Sequence, residues 1–383
     1  IFFAYEFLKH DAVFDWCHKS SKTENWIPIS LRHALDDIAH TRDATSSSIM
    51  LNMGLEQSFT NLQFVALSAD AAKFGDHTFA TMLQSVQTDE ARHAQIGEPL
   101  VRIMVENGRK EEAQKLVDIG FWRMWKQFSV LSGIGMDYYT PLECREFSLK
   151  EFMEEWVIGQ FGRTLVALGL ELPWYWDILH EEIGTFHHSQ QIGVYVYRAL
   201  QWWRPIAAVS PEERVWLEEK YPGWNETYGK CWDVVIENIR NGDYDKTVPP
   251  APPLVCNMCG LEVAGGVGNL WEPVDYKVDL EGRRYHFCSS VCQWIFDEDP
   301  DRYKGHKSII DRVFDGTVPP GPNGLFEYMG QSPEEMGVDG YDYKWIDGYQ
   351  SEELVDSDKI AALKAQLKAE IKTELDNELE TTE

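Results

Sequence analysis

Thr88-Asp89-Glu90-Ala91-Arg92-His93 sets a carboxylate and an imidazole three residues apart inside a helical pattern. One helix turn separates Glu90 from His93, so the two share a face. Phe79, Leu83, Val86, Leu100 and Met104 continue the same spacing on either side, with the small Gly97 between them, and this predicts that the face is buried. Charged groups on a core stripe need partners. The spelling alone carries little. With eleven His in the chain, about one Glu-x-x-His is expected by chance, and it is the position on the apolar stripe that singles this one out.

Outward from that stretch the chain reads as antiparallel helices joined by short loops. Residues 1–27 show no clean period. From Ile29 to about Ala71 the pattern is helical, with Ile49, Met53, Phe59 and Leu67 apolar and few charges after Asp43. Gly75-Asp76 makes the turn, and Asn107-Gly108 stops the Glu90/His93 helix, which Pro99 should kink. A third helix begins near Lys110, and further helices over 147–169, 175–202 and 211–240 are rich in Trp and Tyr, which reads as packing. Val248-Pro249-Pro250-Ala251-Pro252-Pro253 cannot propagate a helix and marks a boundary. The expected units are a helical domain over 1–247, a small domain over 254–315 with a few strands around Val263 and Tyr276–Phe287, and an extended segment over 316–383 ending in a helix from Asp358.

The chain's 383 residues are 44% apolar and carry a formal charge of −28. That charge argues against nucleic acid or an anionic membrane surface as partner. No apolar run approaches the roughly 18 residues that span a bilayer, and Ile1-Phe2-Phe3, with no charged leader before an apolar region, sets the expectation of no signal peptide. Seven Cys, an odd number scattered over a large acidic chain, do not form a disulfide framework. A cytoplasmic, reducing setting is expected.

Two constellations could carry chemistry. Glu56 lies in Met53-Gly54-Leu55-Glu56-Gln57-Ser58-Phe59-Thr60-Asn61, a nearly uncharged setting where an isolated carboxylate is costly. One Glu and one Glu-x-x-His on two antiparallel helices would supply half of a carboxylate di-iron site of the kind built in four-helix bundles. The structural alternative is a buried Glu–His pair, or a Glu–Arg92 ion pair, holding the bundle together. Patterning alone leaves both open. The second constellation is Cys256-x-x-Cys259 followed, after 28 residues, by Cys288-x-x-x-Cys292. Four thiolates in two close pairs suit tetrahedral zinc in a structural site with no open position.

Glu56-Gln-Ser-Phe-Thr60-Asn61 with Gln87-Thr88-Asp89-Glu90-Ala-Arg92-His93 resembles part of the active site in the large hydroxylase subunit of bacterial multicomponent monooxygenases. Within that family the sequence resembles the branch of the toluene, alkene and isoprene monooxygenases. The resemblance extends through Lys115-Leu-Val-Asp118, Phe152-Met-Glu-Glu-Trp156, Leu172-Pro-Trp-Tyr-Trp-Asp177 and Glu219-Lys-Tyr-Pro-Gly-Trp224. It implies a mainly α, ferritin-like bundle in which Glu56, Glu90 and His93 are iron ligands and Thr60 takes part in oxygen activation and proton delivery. Asp89 and Arg92 correspond to residues supporting the ligands, and Asn61 and Gln87 to polar positions near the site. Leu35, Leu51, Leu55 and Phe64 correspond to the substrate pocket.

That family carries another Glu and another Glu-x-x-His upstream of the position matching Ile1, so an N-terminally truncated sequence is the expectation. Asp15/His18, Asp37/His40 and Asp177/His180 repeat the spacing with Asp, in segments where the family has no ligand. Tyr285-His286-Phe287-Cys288-Ser289-Ser290-Val291-Cys292 resembles the small treble-clef zinc domains named for a Tyr-His-Ser signature, and phenol hydroxylase large subunits carry a similar unit. Cys17, Cys144 and Cys231 are expected to be ordinary thiols.

The implied activity is NADH-dependent insertion of one oxygen atom from O2 into an apolar hydrocarbon. The implied partners are two smaller hydroxylase subunits in a paired heterotrimer, an effector protein, and a reductase with or without a Rieske ferredoxin. The truncated chain alone is expected to be inactive. A phenol hydroxylase-type substrate range, a non-catalytic helical scaffold with a zinc assembly module, and another di-iron protein, ferritin or a reductase radical subunit, are the alternatives.

Overall fold

A computed structural model of the chain describes residues 26–39, 43–197, 209–241, 254–263 and 276–319. The helix expected from Ile29 to Ala71 is two: α1 (Trp26–Ala39), and α2 over 44–73, which passes from Ala44–Ser48 through a π-helical stretch Ile49–Thr60 to Asn61–Lys73. Asp43 caps the start of α2 by accepting from the amides of Thr45 and Ser46. Gly75 turns the chain at φ 81°, a backbone state only glycine adopts freely, and the Asp76 carboxylate accepts from the Phe79 amide to start α3 (His77–Glu106). α3 runs on through Pro99 without a break and ends at Asn107-Gly108, as expected.

α4 (Lys110–Phe128) continues through π-helical turns at Ser129–Gly133 and Gly135–Tyr139. α5 covers 149–167 and begins at a capping box in which Ser148 and Glu151 satisfy each other's backbone amides. The helices expected over 175–202 and 211–240 are each divided. α6 (Trp176–Glu182) and α7 (Phe186–Tyr197) form the first, α8 (Pro211–Lys220) and α9 (Gly229–Arg240) the second. Pro222-Gly223, with Gly223 at φ 93°, accounts for the second division.

α4 is the centre of the molecule. Phe121, Trp122, Trp125 and Val117 are wholly buried, and α2 and α3 pack along it. Two glycines set the closest approach: a Cβ on Gly54 of α2 would lie 2.8 Å from the backbone carbon of Gly120 of α4. Gly97 of α3 does the same against Met53, where a Cβ would meet the side chain at 2.6 Å.

The small unit holds an antiparallel pair, β1 (Tyr276–Leu280) and β2 (Arg283–Phe287), with Tyr276 opposite Phe287, followed by α10 (Ser290–Glu298), α11 (Pro300–Tyr303) and α12 (Ile309–Phe314). A bridge pairs Val255 with Glu262. This unit is welded to the bundle: Cys256, Leu261, Phe287, Val291 and Phe296 belong to the same continuous apolar core as Trp122 and Trp125. Asp37 of α1 adds a buried polar tie, meeting Arg123 of α4 at 2.6 Å and His306 at 3.2 Å. The helix expected from Asp358, Cys17, and the boundary prolines lie outside the described residues.

Candidate metal centre

Glu56 sits in the π-helical part of α2, whose wider turn is a recurrent feature of functional sites. One carboxylate oxygen each from Glu56 and Glu90 and one ring nitrogen of His93 lie within 4.8 Å of one another. His93 Nδ1 is 3.4 Å from Glu56 Oε1, while its Nε2 is 3.8 Å from Asp89. Thr60, one turn beyond Glu56, donates to Glu90 Oε2 at 3.5 Å. Burial, then the charge of Glu56, raise the pKa of Glu90, the signature of two carboxylates forced together. Two acidic groups and an imidazole that crowd a common point form a donor set suited to a hard divalent or trivalent cation.

The expectation that this face is buried is corrected. Leu83, Gly97 and Met104 are buried, but Phe79 and Val86 are exposed, and the His93 side chain is 44% accessible. Glu56 is the buried member, at 8%. The reason is geometric: α2 covers one side of α3, and among the described residues no element covers the other. The Glu56–Arg92 pairing does not form; Arg92 turns outward to Asp89 at 3.5 Å, both being well exposed.

Gln87 lies half-buried one turn before Glu90, and Asn61 begins the α-helical part of α2. Leu51 and Leu55 are partly buried against the core, Phe64 is half-buried on α2, and Leu35 is exposed on α1. A cavity of about 250 Å³ opens between α2 and α5, walled by Val65, Ala69, Met136, Phe152 and Trp156 among others. None of the four expected pocket residues lines it.

Asn52 was not foreseen: its amide donates to Glu56 Oε2 from one turn earlier. The signal was its i−4 position in an apolar run. The Asp-x-x-His alternatives find no support among the described residues. Asp37 is committed to Arg123 and His306, and Asp177 and His180 are exposed. His40 and the Asp15/His18 pair lie outside the described residues.

Asp137, His187 and His188 also come together, all buried. Asp137 accepts from the Leu149 amide at 3.0 Å and the Tyr221 hydroxyl at 2.5 Å, and pairs with His187 Nε2 at 2.8 Å. Tyr138 meets His188 Nδ1 at 2.6 Å. With its carboxylate so fully engaged, this cluster is a hydrogen-bonded knot tying α4, α5, α7 and the α8–α9 pair.

The four cysteines also meet. All four Sγ atoms lie within 4.8 Å of one another, with Cys259–Cys288 at 3.7 Å and Cys288–Cys292 at 3.6 Å. Tetrahedral zinc, with Zn–S near 2.3 Å, sets its sulfurs about 3.8 Å apart, so the thiols fit that ion. No sulfur–sulfur bond is present among these cysteines. Burial drives the Cys259 thiol well above its ordinary pKa, an arrangement a bound cation would relieve.

Residues 1–108 match the family described as Methane/Phenol/Alkene Hydroxylase, and residues 272–307 match the YHS domain. The chain is 40% identical over 351 residues to the alpha subunit of the oxygenase component of an alkene monooxygenase system from Xanthobacter autotrophicus, covering 91% of this chain and 70% of that protein. It is 28% identical over 332 residues to a phenol 2-monooxygenase oxygenase component from Pseudomonas sp. strain CF600, covering 81% of this chain and 60% of that one. A crystal structure of phenol hydroxylase from Pseudomonas sp. OX1 superposes with a TM-score of 0.66 at 24% identity, over 79% of this chain and 62% of that one, and shares the ferritin-like helical fold. By its identity with the alkene monooxygenase subunit over nine-tenths of its length, this chain belongs to the methane/phenol/alkene hydroxylase family, as an alpha subunit of a multicomponent monooxygenase hydroxylase.

Proposed function

We propose that the chain holds iron at Glu56, Glu90 and His93 and, within an assembled hydroxylase, inserts one oxygen atom of O2 into an apolar hydrocarbon. The observation that carries this is the convergence of two carboxylates and one imidazole from α2 and α3. Three such ligands are about half of what a carboxylate-bridged pair of irons takes. When bound, iron supplies the O2-reducing chemistry.

The chain's own residues prepare the site. Asn52 fixes one oxygen of Glu56 and leaves the other toward His93. Asp89 lies 3.8 Å from His93 Nε2, and the ring's Nδ1 faces Glu56. Thr60 carries a hydroxyl against Glu90 and is placed to hand a proton toward the site. Leu51 and Leu55 flank Glu56 with uncharged surface, so a substrate that cannot ionise is positioned by shape. Electrons come from NADH through a reductase, with or without a Rieske ferredoxin. Two smaller subunits and an effector protein complete the assembly. The four cysteines hold a structural zinc.

Greater identity to the alkene than to the phenol enzyme favours alkene epoxidation over ring hydroxylation. Turnover of a small alkene by the assembled hydroxylase under 18O2 tests the reading. One labelled oxygen in the epoxide per NADH consumed is expected, with Leu51→Phe altering product distribution or substrate range and leaving iron content intact. NADH oxidation without labelled product, or an unchanged distribution across bulky substitutions at Leu35, Leu51, Leu55 and Phe64, contradicts it.

A further inference from the structure

We propose that Trp122 is a positioning residue for the four-cysteine site: its indole N–H bonds the Cys292 thiolate and so raises the affinity of the site for zinc. This rests on the reading of that site as a zinc site. Trp122 donates its Nε1 hydrogen to Cys292 Sγ at 3.4 Å, and both side chains are wholly buried. Four thiolates around a divalent cation leave a net negative charge, which away from water must be met by hydrogen-bond donors. A hydrogen bond to an ionised acceptor is roughly twice as strong as one to its neutral form, so the contact favours the metal-bound thiolate over the free thiol.

The helical bundle, rather than the cysteine unit, aims this indole. Trp122 stands on α4, and Tyr175 meets its ring edge-on with centroids 4.9 Å apart. Tyr175 donates its hydroxyl to the Asp118 carbonyl oxygen at 2.6 Å, one turn earlier on α4, which fixes that clamp. Cys292 is held from the other side. It lies in the first turn of α10, with its amide donating to Ser289 Oγ at 3.2 Å and its Sγ 3.6 Å from Cys288 Sγ. The Cys259 amide, 3.4 Å from Cys256 Sγ, is a donor from within the unit. Trp122 supplies one from 170 residues away, so the completed site requires the cysteine unit to be seated on α4.

A buried indole N–H needs an acceptor in any fold, so the simpler account is that the sulfur serves Trp122 and the metal is indifferent to it. Cobalt(II) in place of zinc separates the two, because its sulfur-to-metal charge-transfer band reports the thiolates alone; Glu56, Glu90 and His93 offer no sulfur. Titrating cobalt into the whole chain against a chelating buffer, then displacing it with zinc, gives the affinity for each metal. Trp122→Phe should bind zinc about tenfold more weakly and move the band to lower energy, since a thiolate without its donor gives up an electron more readily. Benzothienylalanine in place of Trp122 keeps both rings, lacks the N–H, and should do the same. Trp125→Phe is the control: this equally buried indole of α4 donates to Glu182 at 3.1 Å, and its loss should change neither readout. An unmoved band or undiminished zinc affinity in the benzothienylalanine variant overturns the proposal, and so does an equal loss with Trp125→Phe. The benzothienylalanine variant decides even where Trp122→Phe does not fold. A parent chain with no thiolate band on cobalt loading, or a band that survives unchanged in Cys288→Ser, would overturn the zinc reading itself.

Discussion

At the residue scale, the chain puts acidic groups where water is scarce. Glu56 does so at the candidate metal centre, and Asp118 does so inside α4. Asp118 is 5% accessible, with Gln114 Nε2 donating to it at 2.8 Å. Burial pushes its pKa up to about 7, against that hydrogen bond. In the unfolded chain the same carboxyl loses its proton near pH 4. Between those values the folded state keeps a proton that the unfolded state has lost, so this residue's stabilising contribution is full below about pH 4 and is lost as pH rises through about 7. Asp118→Asn should remove that slope and raise stability at pH 8 by on the order of 1–2 kcal/mol. Chemical denaturation at pH 5 and pH 8 measures it, and an equal change at both would contradict the assignment. Glu56, Glu90 and His93 were legible in the sequence because each stands in a patterned helix. Asn52 was not, because an amide in an apolar run has no motif, only a neighbour four residues on.

At the element scale, the position of the centre depends on how closely α2 approaches α4. The added methyl of Gly54→Ala would meet the Gly120 backbone, which cannot rotate aside, so the helices must separate. That should destabilise the protein by about 1–3 kcal/mol, read as a lower unfolding temperature, and should displace Glu56 two residues along. Gly159→Ala is the control, since its nearest neighbour is the mobile tip of Arg163 at 3.4 Å and Ala is the better helix former. Equal loss in both would show that helix packing is not the cause. The order of the helices was readable from period, caps and glycine stops. Their interruptions were less so: the π-helical stretch of α2 has no local signature, being fixed by what packs around it. The exposed side of α3 was misread for a related reason, since an apolar stripe states what a face prefers to meet and not what is there to meet it.

At the scale of the whole molecule, one helix serves both candidate metal groups. α4 meets the Glu56 helix at Gly120 and the cysteine unit at Trp122, which donates to Cys292, and at Arg123, which lies over the Tyr303 ring. The sequence announced two units through its prolines and its cysteine spacing. It did not announce that they share one core, because Asp37–His306 and Gln190–Glu262 join residues far apart in the chain. The described residues hold two histidine–carboxylate clusters, the open one proposed for iron and the buried one tied up in hydrogen bonds. Iron content of the purified hydroxylase containing this chain, compared across Glu56→Ala, Glu90→Ala, His93→Ala and His187→Gln, tests that assignment directly. Each of the first three should lose most of its iron, while His187→Gln keeps it. Iron undiminished in the first three and lost with His187→Gln would place the metal at the Asp137–His187–His188 cluster and contradict the central claim.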